Sequence, residues 1–133
     1  MDVEELMILL QRRCNAMRDI KRITGELLEA SSRNDQVSLG LLLQMRAEEM
    51  AKAEVCWEQI WLMAEQGQKE AKLVRHLMSR EFLEDGQKKS AEEQKIYEIR
   101  HKTASLLLEV LEADQRLNRN IGGDRSYYVS NKK

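Results

Sequence analysis

Proline is absent from this sequence, glycine occurs only six times, and aromatic residues make up 5% of it. Nothing therefore breaks a long helix by removing a backbone donor, and the abundant Leu, Glu, Lys, Gln, Met and Ala favour that state. A surplus of one charge is missing too: 22 Lys and Arg stand against 23 Asp and Glu, a formal net charge of −1. That balance lacks the strongly basic surface expected of a nucleic-acid binder. Cysteine is scarce. Cys14 and Cys56 belong to no CxxC and to no Cys/His cluster, so no zinc site is expected, and two free thiols among apolar neighbours fit a reducing cytoplasm. Long apolar runs are lacking as well. "LMILL" (Leu6 to Leu10) is too short for a signal segment or a membrane span, and Arg12 and Arg13 cut it off, so no membrane insertion is expected.

The chain does have a hydrophobic fraction of 42% in 133 residues, enough for the core of one domain. It is distributed with helical spacing. Val3, Met7, Leu10, Cys14, Met17, Ile20 and Leu27 recur by threes, fours and sevens, which predicts a helix over about 3–30 with one buried face. Asp2 is placed to cap it. "SSRND" then ends it, and Asn34 or Asp35 is the expected N-cap of the next helix. That second helix is expected to run on over about 35–84. Its stripe is Leu39, Leu43, Met50, Ala53, Trp57, Ile60, Ala64, Ala71, Val74, Met78 and Phe82, and Gly67 is its weak point. Gly86 suits the next turn, and Ser90 with Glu93 has the spacing of a capping box. A last helix is expected over about 91–120. Ile96, Ile99, Thr103, Leu106, Leu107, Val110, Leu111, Leu117 and Ile121 mark its face, and Gly122 and Gly123 stop it. The remaining "DRSYYVSNKK" (124–133) has no helical period and reads as a flexible tail. The expected fold is all-α: an elongated antiparallel helical hairpin plus a third long helix, in one domain over 1–123, with a fourth helix if Gly67 interrupts the second.

Catalytic signals are sparse. Glu98 and His101 form one Glu-x-x-His, whereas a di-iron bundle uses two together with two more carboxylates. "RRCNAMRDIKRI" (Arg12 to Ile23) carries the basic residues of an all-helical enzyme of the chorismate mutase type. The plainer reading is a solvated polar face. Trp57 and Trp61, one turn apart, either fill the core or leave Trp61 to anchor a partner. No cofactor is expected.

The stretch "LMILLQRRCNAMRDIKRITGELLEASSRNDQVSLGLLLQMRAEEMAKAE" resembles the N-terminal hairpin of the flagellar type III export chaperones of the FlgN and FliT kind. Leu27, Leu28 and Ala30 lead into Asn34-Asp35; Leu39, Leu42 and Leu43 come next, then Arg46, Glu48, Glu49 and Met50. "LLLEVLEADQRLNRNI" (Leu106 to Ile121) is similar to their closing helix. The resemblance implies a cytoplasmic, non-catalytic protein that escorts a late export substrate, of the hook–filament junction or filament-cap type, to the secretion gate. It also implies client contact through the C-terminal helical part. The residues themselves point the same way, since the last helix has more apolar positions than one seam needs. Leu106, Leu107, Val110, Leu111, Leu117, Ile121, Tyr127 and Tyr128 are therefore the expected contact residues, taking an amphipathic client helix or a second copy of the chain as a homodimer. The alternative is a self-associating coiled-coil module with no client.

Overall fold

The structure, a computed structural model, describes residues 3–84 and 90–123, and every regular element among them is helical. Five α-helices occur in order: α1 (Val3–Ser32), α2 (Gln36–Met63), α3 (Gln68–Leu77), α4 (Arg80–Glu84) and α5 (Ala91–Gly123), with a 3-10 turn at Ala64–Gln66. The all-α hairpin with a third long helix is what the periodicity predicts. Asp2, Gly86 and the tail over 124–133 lie outside the described residues.

The chain reverses after α1 because two adjacent residues do opposite jobs. Asn34 adopts a left-handed φ of 60°, which Asn tolerates better than most residues. Its amide donates to the Ser31 carbonyl at 3.1 Å, and the Asp35 amide donates to the Ala30 carbonyl at 2.9 Å. This pair of bonds is a Schellman stop. Asp35 then starts α2, its carboxylate accepting from the Ser38 amide at 3.1 Å and the Ser38 hydroxyl at 2.6 Å.

α1 is the central helix. Leu6 and Leu10 pack with Ile60, Val74, Leu77 and Ile96 at one end. Cys14, Met17 and Ile20 meet Leu106 and Val110 in the middle. Ile23, Leu27 and Ala30 meet Leu39 and Leu117 at the other end. Each large apolar side chain so buried contributes about 1.5–3 kcal/mol. The pairings show that α2 runs antiparallel to α1, whereas α5 runs parallel to it. α1 packs along both, while α2 and α5 have no comparable approach to each other. The three long helices thus form a trough with α1 as its floor.

The second helix does not continue to Glu84. It ends at Met63, and the chain restarts at Gln68 after Gly67. The cause is tertiary. Ile60 and Met63 already sit level with Leu6, near the start of α1. An unbroken helix would carry Val74, Leu77 and Phe82 past the end of α1 into water; broken, the chain folds them back into the core. The Gly67 backbone is extended (φ 167°, ψ 174°), a conformation open to any residue. Arg100 completes the return, donating to the carbonyls of Leu77 at 2.9 Å and Ser79 at 2.8 Å at the end of α3. Ser90 and Glu93 form the expected reciprocal cap, each amide bonded to the other's side chain at 3.2 Å. α5 then continues through Gly122 to Gly123, past the expected end at Asn120.

Candidate functional site: an apolar groove between α2 and α5

α2 carries apolar side chains on several sides, and α1 covers only one of them. Leu43, Met50 and Trp57, spaced by seven, share a line along the α2 flank. All three are exposed rather than buried, contrary to their expected place in the core stripe. Across the trough, α5 exposes Leu107 and Leu111, with Met17 and Ile20 of α1 in the floor between. The result is an open groove of ≈ 290 Å³ walled by Met50, Ala53 and Trp57 on one side and Leu107, Val110 and Leu111 on the other. A second hollow of ≈ 310 Å³ lies toward the hairpin turn, lined by Leu39, Leu43 and Ile121.

The residues expected on α5 divide between two surfaces. Leu106, Val110 and Leu117 are 3%, 4% and 2% exposed and belong to the core against α1. Leu107, Leu111 and Ile121 are 40%, 50% and 39% exposed and face the hollows. Tyr127 and Tyr128 lie outside the described residues. The excess of apolar positions on the last helix is therefore half used by α1. The unanticipated half of the groove comes from α2, where the recurrence of Leu43, Met50 and Trp57 at intervals of seven carried the available signal.

Two arginines give the groove its polarity. Arg46 of α2 crosses the floor, donating to Asp114 Oδ1 of α5 at 2.6 Å and to Thr24 Oγ1 of α1 at 3.3 Å. The Thr24 hydroxyl donates in turn to the Ile20 carbonyl at 2.7 Å. This tie joins all three long helices and separates the two hollows. At the other end the Arg13 guanidinium lies over the Trp57 ring, 4.7 Å from its centroid, in cation–π contact. Burial pushes the Arg13 pKa down from its ordinary value, against the raising effect of Cys56, Glu54 and Cys14. Burial likewise lowers Arg100, and the charge of Arg13 adds to that. An arginine remains charged under such shifts, so this end of the groove presents the Arg13 cation, while Arg100 is turned to the carbonyls of Leu77 and Ser79.

The tryptophans exchange their expected places. Trp57 is the open one, at the groove, and stacks edge-on against Trp61 with centroids 5.9 Å apart. Trp61 packs against the core at the α3 end, and its indole Nε1 is buried with no hydrogen-bond partner.

The histidines and Glu98 are engaged locally. His76 Nε2 stands 3.5 Å from Glu93. Glu98 accepts from Gln94, and His101 Nε2 lies 3.2 Å from the Leu83 carbonyl. The arginines of the first helix do not converge, since Arg12 and Arg13 line different grooves. Among the described residues no group of three or more His, Cys, Asp or Glu is placed to hold a metal ion, and no helix is long and apolar enough to cross a membrane. Comparison with family models, curated proteins and solved structures finds no match to this chain.

Proposed function

We propose that this protein is a non-enzymatic helical adaptor that holds an amphipathic helix of a client protein in the groove between α2 and α5. The observation that carries the reading is the groove itself: apolar side chains of two helices, spaced at helical intervals, face each other across an open floor of Met17 and Ile20. A helix laid there would bury an i, i+3, i+4, i+7 stripe against both walls. Met50 and Met17 supply adaptable surface, and Arg13 favours a client with a carboxylate near the Trp57 end.

Within that class we propose a cytoplasmic chaperone for a late flagellar export substrate, of the hook–filament junction or filament-cap type. The support is the resemblance of the Leu6–Glu54 hairpin and of the Leu106–Ile121 helix to the flagellar export chaperones. The second reading is a self-associating module without a client, favoured by the same exposed apolar residues.

Leu111→Asp and Met50→Glu test the groove without touching the core, because both side chains are exposed. Each should abolish co-purification of the client, identified by mass spectrometry as an exported filament-system protein, while leaving helicity by circular dichroism unchanged. Client retention at full affinity by both variants places the contact elsewhere. Recovery of only the protein's own chain supports the second reading.

A further inference from the structure

We infer that the opposite face of the α1–α2 hairpin joins two copies of this chain in an antiparallel dimer. That face carries three hollows in a row, of ≈ 510, ≈ 590 and ≈ 260 Å³, lined by α1, α2 and the segments that border them, with no residue of α5. Ile8, Leu41, Met45, Val55 and Leu62 are exposed along it. A line of uncovered apolar side chains on one face marks an interaction surface.

The charges identify the occupant. Glu5, Arg12, Asp19 and Glu26 recur every seven residues along α1, Arg33 follows at the same interval in the turn just beyond its end, and all five line these hollows. Charges repeating in this way along a helical seam set partner and orientation. The signs run minus, plus, minus, minus, plus. A parallel, in-register pairing of this edge with itself sets like on like at every position. An antiparallel pairing with its two-fold axis at Asp19 sets Glu5 on Arg33 and Arg12 on Glu26 of the second copy, each contact occurring twice by symmetry. Asp19 alone meets its own kind, and Arg22 Nη2 stands 3.9 Å from its carboxylate. Sliding the axis half a heptad one way sets Glu5 on Glu26 against a single kind of attraction, Arg12 on Asp19, and the other way sets Arg12 on Arg33 and Asp19 on Glu26, so the register centred on Asp19 is the best matched. Glu5 and Arg12 have no ion-pair partner among the described residues, whereas Glu26 and Arg33 hold exposed pairs with Arg22 at 2.7 Å and Asp35 at 3.6 Å, which the second copy would share. The dimer leaves the α2–α5 groove open, so it stands or falls separately from the client reading.

The test is the mass of the full chain by light scattering after gel filtration. The wild type should give twice the 15.6 kDa of one chain. Arg12→Glu and Glu26→Arg should each weaken dimerisation about tenfold or more, because each turns two attractions into repulsions. The double variant should restore it, and Glu5→Arg with Arg33→Glu forms a second, independent reversal pair. A monomeric wild type at micromolar concentration overturns the inference. So does a dimer indifferent to the single reversals, or a helical double variant that stays monomeric. A dimer dissolved by Leu111→Asp but not by these reversals assigns self-association to the other groove and also overturns it.

Discussion

Arg46 shows how one residue can serve three helices. Its guanidinium presents several N–H groups in a fixed plane, so it reaches the Asp114 carboxylate and the Thr24 hydroxyl together. The pair is mostly shielded, with side-chain exposures of 14% and 31%, and removal of the cation would leave a carboxylate in the trough without compensation. Arg46→Ala is expected to cost about 2 kcal/mol in urea unfolding. Both bonds leave Nη1, whose two N–H groups are held in the guanidinium plane; Arg46→Lys keeps the charge but not that fixed geometry and should cost about 1 kcal/mol. Equal stability of both variants and the wild type would show that the tie is only a surface pair. Trp57 offers a readout at the same scale. In a Trp61→Phe chain its emission reports the groove alone, and a client helix laid over it should shift that emission to the blue. Client binding with unchanged emission would place the contact away from the groove.

At the scale of elements, the hairpin turn depends on Asp35. Hydrogen bonds from the Ser38 hydroxyl and amide hold its carboxyl below the usual Asp range, and Arg33 adds to the effect. The folded pKa is therefore lower than the unfolded one. Such a group stabilises the fold above its unfolded pKa, and the contribution is lost as pH falls through the folded value. Asp35→Asn keeps a capping oxygen but cannot titrate. It should lose less stability than the wild type between neutral pH and the acid side of the carboxylate range, measured as the shift in urea midpoint. Identical acid losses would mean that the cap does not couple to folding. α3 and α4 belong to the same scale. Both are short, and their boundaries come from burying Val74, Leu77 and Phe82 at the end of α1.

Taken whole, the molecule is a three-helix trough in which α1 uses both its sides and α2 and α5 use about half of theirs. A closed bundle would bring α2 and α5 together over Met17 and Ile20. Here that space is open, and the exposed apolar side chains collect along it and along the outer face of the hairpin. The division leaves two exposed apolar surfaces, the α2–α5 groove that we propose for a client helix and the hairpin face that we infer joins two copies.

The sequence by itself determined the helical class, the near-complete extent of α1, the turn at Asn34-Asp35 and the Ser90–Glu93 start of α5. These come from periodicity and capping, which act over a few residues. The tertiary structure decided the rest. Periodicity marks which side chains are apolar, but α2 is apolar on several sides and its stripe does not say which side a neighbour covers. Leu43, Met50 and Trp57 were therefore legible as apolar and illegible as groove. Equally, Leu106 and Leu107 are adjacent in the chain and belong to opposite environments, because α1 lies on one side of α5 only. The break after Met63 answers to the position of the first turns of α1, some sixty residues earlier in sequence. The contact between Arg46 and Asp114 spans 68 positions. No local pattern encodes either separation; both exist because the packed helices bring those positions to one place.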